Sequence, residues 1–338
     1  MSSVSNFKKI APIDGLSALY SDAVAASERI AGQIVKTPIV VNDELDRLLS
    51  ARVLLKAETL QVTGSFKFRG ALNRVLRMTE EERKGGIVAW SSGNHALAIS
   101  TVAARHGITA TILMPSDAPR TKIEGAQRCG GTVRLYDRAT EVRETIGAEI
   151  AAATGAVIIP PYDDLDIMAG QGTVALEITE QAREQGLALD MLAVSCSGGG
   201  LAAGCAVAMH GASPQTRVYC VEPEGFDDTA RSLASGRREG NEAGAKSLCD
   251  ALQVATPGEL TFPVNQALLA GAVVVTDAEV RRAMRVAYDL FKLVVEPGGV
   301  APLAAALAGK LDVAGKTVAL VLSGGNVDHD KFAACIAG

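Results

Sequence analysis

Lys67 lies in the segment Gly64-Ser65-Phe66-Lys67-Phe68-Arg69-Gly70, between two phenylalanines and among small residues. A lysine is ordinarily a solvated surface charge. Aromatic neighbours can bury the stem of the amine and lower its pKa, and the neutral amine is the form that carbonyl and Schiff-base chemistry needs. Gly64, Ser65, Gly70 and Ala71 leave room for a flat ligand beside it. The segment nominates Lys67 as a reactive amine, and the other polar loops decide what it serves.

Four such loops stand out. Ser91-Ser92-Gly93-Asn94-His95 follows an apolar run and opens a helix-like stretch. Ser or Asn there caps a helix in any protein, but the free N–H groups at a helix start also cradle a substrate carboxylate. In Ser197-Gly198-Gly199-Gly200-Leu201, successive glycines let backbone N–H groups close around a phosphate. Gly198-x-Gly200-x-x-Ala203, with Glu222 after the next apolar run, also fits a loose dinucleotide fingerprint, which leaves Lys67 without a task. Glu222-Pro223-Glu224-Gly225-Phe226-Asp227-Asp228 reads either as a solvated acidic loop or as an oxygen-ligand site for magnesium or calcium. Ser323-Gly324-Gly325-Asn326 is either an ordinary turn or a hydroxyl at a strand tip facing a ligand.

The elements that must position these loops alternate. Short apolar runs at 52–56, 86–90, 109–114, 131–136, 156–159, 191–195, 216–222 and 317–322 read as strands. Between them, 68–78, 94–106, 120–129, 138–154, 170–185, 200–209, 277–290 and 302–308 read as helices. Such alternation predicts an α/β fold of two domains, with twisted, mainly parallel sheets covered by helices. In sheets of this kind ligands collect where strands end and helices begin. The stretch 226–265, rich in Gly, Ser, Asp and Pro, interrupts the alternation as a functional excursion.

Composition narrows the class. The 338 residues are 48% hydrophobic and 21% charged with a net charge of −5, which argues against nucleic-acid and membrane-surface partners. Lys8-Lys9 and Arg237-Arg238 are pairs rather than basic tracts. Met1–Ile10 lacks the apolar core of a signal peptide, and no stretch is long enough to span a membrane. Six scattered cysteines without a CxxC pair read as reduced thiols of a cytoplasmic protein, and four dispersed histidines disfavour zinc.

Taken in order, SFKFRGA at 65–71, SSGNHA at 91–96, AGQGT at 169–173, SGGGLAAG at 197–204 and SGGNVD at 323–328 resemble the fold-type II pyridoxal-phosphate enzymes, tryptophan-synthase-β-like in fold, of the serine/threonine dehydratase and serine racemase family. The resemblance runs from about Leu54 to Asp328. It implies a large cofactor-binding domain at 1–80 and 157–338, a small domain at 81–156, and a homodimer. Lys67 is implied to be the Schiff-base lysine and general base. Phe66 would pack on the cofactor ring, Asn94 would meet its phenolic oxygen, Ser323 its pyridine nitrogen, and Gly198, Gly199, Gly200 and Leu201 its phosphate. Ser65, Ser92, Asn94 and His95 would hold the substrate carboxylate, partly through backbone N–H groups.

The same resemblance leaves the reaction open. Ser92 occupies the position of a racemase-branch serine that handles the proton on the face opposite the lysine. Glu222, the carbonyl of Phe226 and Asp228 align with that branch's divalent-metal site, most simply for Mg²⁺, with Ca²⁺ or Mn²⁺ as substitutes. Ala251 and Tyr162 depart from racemase usage, and Arg143 aligns loosely with a substrate-side arginine. The expectation is β-elimination of L-threonine or L-serine to a 2-oxo acid and ammonia, with racemisation or 3-hydroxyaspartate elimination as alternatives. The latter needs only one extra cation for the second carboxylate.

Overall fold

The computed structural model of the protein describes residues 14–337, so Met1–Ile10 and the Lys8-Lys9 pair lie outside the described residues. Its strands are β1 (Ile39–Val40), β2 (Arg52–Ala57), β3 (Ile87–Trp90), β4 (Ala110–Pro115), β5 (Thr132–Tyr136), β6 (Val157–Ile158), β7 (Met191–Ser195), β8 (Arg217–Pro223), β9 (Gly271–Val275) and β10 (Thr317–Leu322). They form two sheets. One has the order β1-β2-β10-β7-β8-β9 and is parallel except for β1; the other, β5-β4-β3-β6, is wholly parallel.

β10 shows why the larger sheet forms. Its run Thr-Val-Ala-Leu-Val-Leu is buried from Val318 onward, as befits a central parallel strand covered on both faces. Leu320 pairs with Leu55 on one side and Ala193 on the other. One apolar cluster gathers Leu55, Ala193, Leu320 and Leu322 with the helix Ala301–Leu307, and another joins Leu54, Val194 and Ala319 to the helix Gly200–Ala212. A third packs Phe68, Leu72 and Val75 of the helix Lys67–Leu76 against Ile87, Ala89 and Ile112 of the smaller sheet.

Most expected elements appear within a few residues of their predicted limits, and the exceptions have local causes. The helix expected from residue 138 starts at Arg143, because Asp137 accepts the N–H of Ala139 on its carboxylate and that of Glu141 on its carbonyl, closing a turn instead. The helix expected from Gly170 starts five residues earlier, at Leu165, since Asp164 caps the N–H groups of Asp166 and Ile167. The 226–265 excursion contains the helix Asp228–Ser235 and the first turn of Thr261–Leu268. Among the described residues, no helix is long and apolar enough to cross a membrane.

Candidate active site

Loops at the carboxyl ends of β3, β6, β7 and β10 meet the start of the Lys67 helix around a cleft of about 990 Å³. Phe66, Lys67, Ser92, Asn94, His95, Gly198, Gly199, Gly200, Leu201 and Ser323 all line it. Backbone bonds fix the ledge that carries the lysine: the N–H of Phe66 donates to the carbonyl of Ser323 at 3.0 Å, and that of Gly325 to Gly64 at 2.9 Å. Ser65 lies behind this ledge, bridged to Gly324, and its buried hydroxyl has no hydrogen-bond partner.

The Lys67 ammonium donates to the carbonyl of Pro161 at 2.6 Å and stands 5.1 Å from the Phe66 ring centroid. Burial pulls its pKa down to about 8, against a smaller opposing pull from the Glu296 carboxylate. An appreciable fraction of the amine is therefore neutral near physiological pH. Next to it, burial and the Lys67 charge hold His95 near pKa 3, so its ring is neutral. Nε2 lies 3.0 Å from the Ile159 carbonyl, which can only accept, so Nε2 carries the proton and Nδ1 is a buried acceptor without a partner. The imidazole thus cannot meet a carboxylate as a cation; for His95, the backbone N–H route is the one that fits.

Asn94 has both ends of its amide engaged. Nδ2 donates to Glu296 Oε1 at 2.6 Å, and Oδ1 accepts from Asn326 Nδ2 at 2.7 Å. Glu296 is nearly fully buried, lines the cleft, and is pushed up to about 7 by that burial. Sequence reasoning passed it over because a glutamate in Val-Val-Glu-Pro-Gly-Gly carries no spacing signal; the flanking apolar and glycine residues were the only hint that it is buried.

The glycine loop is shaped to hold a compact anion. Gly199 has φ of +93°, and a Cβ there would stand 2.5 Å from Asn265 Nδ2. A Cβ on Gly198 would collide with the Tyr162 ring. Thr261 Oγ1 donates to the carbonyl of Gly198 at 2.5 Å and Asn265 Nδ2 to that of Gly199 at 3.3 Å. What remains at the start of the helix Gly200–Ala212 are N–H donors, the arrangement that binds phosphate. An amine of lowered pKa, an apolar ring beside it, a donor-rich loop and a hydroxyl at a strand tip together fit pyridoxal phosphate. Lys67, Phe66, Asn94, Ser323 and the Gly198–Leu201 loop are the groups that would hold it.

Arg143 also lines the cleft, beside Tyr162 and Tyr136. Its Nε donates to Glu144 at 2.8 Å, while among the described residues no acceptor pairs with either Nη. Glu222, Phe226 and Asp228 lie outside the cleft lining, at the end of β8. Glu222 accepts the N–H groups of Thr229 and Ala230 at 2.9 and 2.8 Å, so the acidic residue of the dinucleotide fingerprint is engaged at that helix start. Burial and the Asp228 charge push Glu222 up to about 8; burial lifts Asp228 to about 6. Asp228 Oδ2 is buried without a partner. No group of three or more His, Cys, Asp or Glu suited to a metal occurs among the described residues. Both Glu222 oxygens are taken by backbone N–H groups, so Asp228 Oδ2 is the bare carboxylate oxygen of the pair, the atom a magnesium- or calcium-class cation would meet.

The model for pyridoxal-phosphate-dependent enzymes matches residues 30–324. An L-threo-3-hydroxyaspartate ammonia-lyase of Pseudomonas sp is 41% identical over 319 residues, covering 94% of this chain and 98% of that protein. A serine racemase of Schizosaccharomyces pombe is 38% identical, covering 93% and 96%. Among solved structures, maize serine racemase superposes with a TM-score of 0.88 at 34% identity, covering 94% of this chain and 96% of that one.

Proposed function

The chain belongs to the family of pyridoxal-phosphate-dependent enzymes, and within it we propose an ammonia-lyase that removes the β-hydroxyl and amino groups of 3-hydroxyaspartate, giving a four-carbon 2-oxo diacid and ammonia. The similarity to a 3-hydroxyaspartate ammonia-lyase supports this dicarboxylic substrate better than the L-threonine or L-serine expected from the sequence. The observation that carries it is Arg143: a guanidinium facing the cleft with both Nη groups uncommitted among the described residues. Fork-like donors of this kind bind a carboxylate in two parallel hydrogen bonds.

When bound, pyridoxal phosphate supplies a conjugated ring that acidifies the substrate Cα–H. The protein's part is acid–base chemistry and orientation. Lys67, with its pKa near 8, takes the Cα proton on Nζ and can return it near neutral pH. The N–H groups at the start of the helix Asn94–Arg105 hold the α-carboxylate, while Arg143 holds the distal one. Two anchored ends fix the rotation about Cα–Cβ, which decides whether the β-hydroxyl can leave. We assign Glu222, the Phe226 carbonyl and Asp228 to a divalent cation that steadies the β8 end of the larger sheet.

The test is 2-oxo acid release from both 3-hydroxyaspartate diastereomers, L-serine and L-threonine. We expect kcat/KM for one 3-hydroxyaspartate diastereomer to exceed that for L-serine by about 100-fold or more. Equal or better turnover of L-serine or L-threonine would overturn the reading.

Ser92 favours racemisation as a second activity, because it lines the same cleft as Lys67 and the chain is similar to a serine racemase. Chiral analysis of residual substrate should then show the opposite enantiomer with wild type and none with Ser92→Ala. Optically pure residual substrate from wild type removes this reading.

A further inference from the structure

We propose that Arg69 is a positioning residue for Lys67, acting through an ion network buried beneath the lysine. Arg69 lies two residues further along the Lys67–Leu76 helix, about 200° around its axis, and is completely buried. Its guanidinium forks onto two carboxylates. Nε and Nη2 donate to Glu58 Oε2 and Oε1, both at 2.8 Å. Nη1 and Nη2 donate to Glu177 Oε1 and Oε2 at 2.7 and 2.8 Å. Lys56 completes the set with a 2.6 Å bond to Glu177, so two cations face two carboxylates.

The placement of these partners ties the network to the amine. Glu177 belongs to the helix Leu165–Glu184, which starts just after Pro161, whose carbonyl receives Lys67 Nζ. The lysine thus stands on one of the helices that Arg69 joins, and its acceptor lies in the short segment leading into the other. Those helices touch backbone to backbone: a Cβ on Gly170 would stand 2.6 Å from Gly70 Cα. A buried ion network is a costly way to pack a helix, and apolar side chains of similar volume often do as well or better. What a doubly forked guanidinium adds is direction, because it accepts few relative placements of its partners. Displacing an amine by about 1 Å can cost a large factor in rate.

The proposal rests on Lys67 being the amine that serves the cofactor. Borohydride reduction of holoenzyme followed by peptide mapping checks this separately, and cofactor found on another lysine would sink both readings.

The experiment compares Arg69→Lys with the charge-balanced pair Arg69→Met/Glu58→Gln, which leaves Lys56 and Glu177 matched. In apoprotein, Lys67 acylation is followed by mass spectrometry across pH; in holoenzyme, kcat and KM are measured. We expect folded variants whose acylation midpoint rises from about 8 toward the ordinary lysine range. We also expect kcat to fall about 10- to 100-fold with KM changed less than about threefold. Wild-type midpoint and kcat in either folded variant would overturn the proposal. Failure of both variants to fold would also overturn it, in favour of a network that serves only stability.

Discussion

Asn94 donates through Nδ2 to Glu296 Oε1 at 2.6 Å, joining the helix start after β3 to a buried carboxyl on the far wall of the cleft. With Asn326 bonded to Asn94 Oδ1, the amide cannot flip without losing both bonds. It presents one remaining N–H, suited to an acceptor on the cofactor. Glu296 thereby sets the orientation of a group the sequence did nominate.

Glu296 should also leave a mark on stability. Burial raises its folded pKa to about 7, above an unfolded value of about 4.3. Its favourable contribution is complete below about pH 4.3 and is lost as pH rises through 7. Glu296→Gln removes this dependence while keeping an acceptor for Asn94. Denaturant unfolding at pH 5 and pH 8 should show wild type losing roughly 1–3 kcal/mol relative to the variant. Parallel pH dependence of the two proteins would contradict the assignment.

Lys67 should capture its cofactor with an unusual pH profile. An ordinary lysine is almost wholly protonated at pH 8, whereas this amine is near its midpoint there. Stopped-flow addition of pyridoxal phosphate to apoprotein should show a rate rising with pH to a midpoint near 8. Lys67→Ala should lose covalent capture altogether. A midpoint above 10 would mean that burial does not tune the amine.

For Arg143, substitution separates the two carboxylates of the substrate. Arg143→Met should lower kcat/KM for 3-hydroxyaspartate by about 100-fold, the scale of a lost charge-assisted fork, while changing that for L-serine by less than about threefold. Equal losses on both substrates would place Arg143 in the general architecture instead of a specificity contact.

What was legible in the sequence was whatever depended on local pattern. Lys67, Asn94, the Gly198–Gly200 loop and Ser323 each sit beside turn or cap chemistry, and the structure brings them to one cleft. Glu296 was hidden because its role comes from a contact 202 positions away, and spacing does not encode that separation. The Arg143 helix began later than expected because Asp137 closed a turn on its own side chain, a competition that apolar periodicity does not register. His95 lines the cleft with the other nominated residues, but its neutral state follows from burial against Ile159 and Lys67, which only the fold supplies.

Glu222 and Asp228 give the remaining prediction. Each is a buried carboxylate beside the other, and Asp228 Oδ2 has no donor. A cation bound by these oxygens and the Phe226 carbonyl would satisfy the bare atom and offset the repulsion. Binding to the folded state alone stabilises it by about 2.7 kcal/mol when the cation is at 100 times its Kd. After EDTA treatment, the melting temperature should fall by several degrees and recover with Mg²⁺ or Ca²⁺. Asp228→Asn keeps the shape but removes a charge, so it should melt at the same temperature with or without cation. If chelation leaves wild type unchanged, the acidic pair serves only to cap the helix Asp228–Ser235, a role the Glu222 bonds to Thr229 and Ala230 already perform.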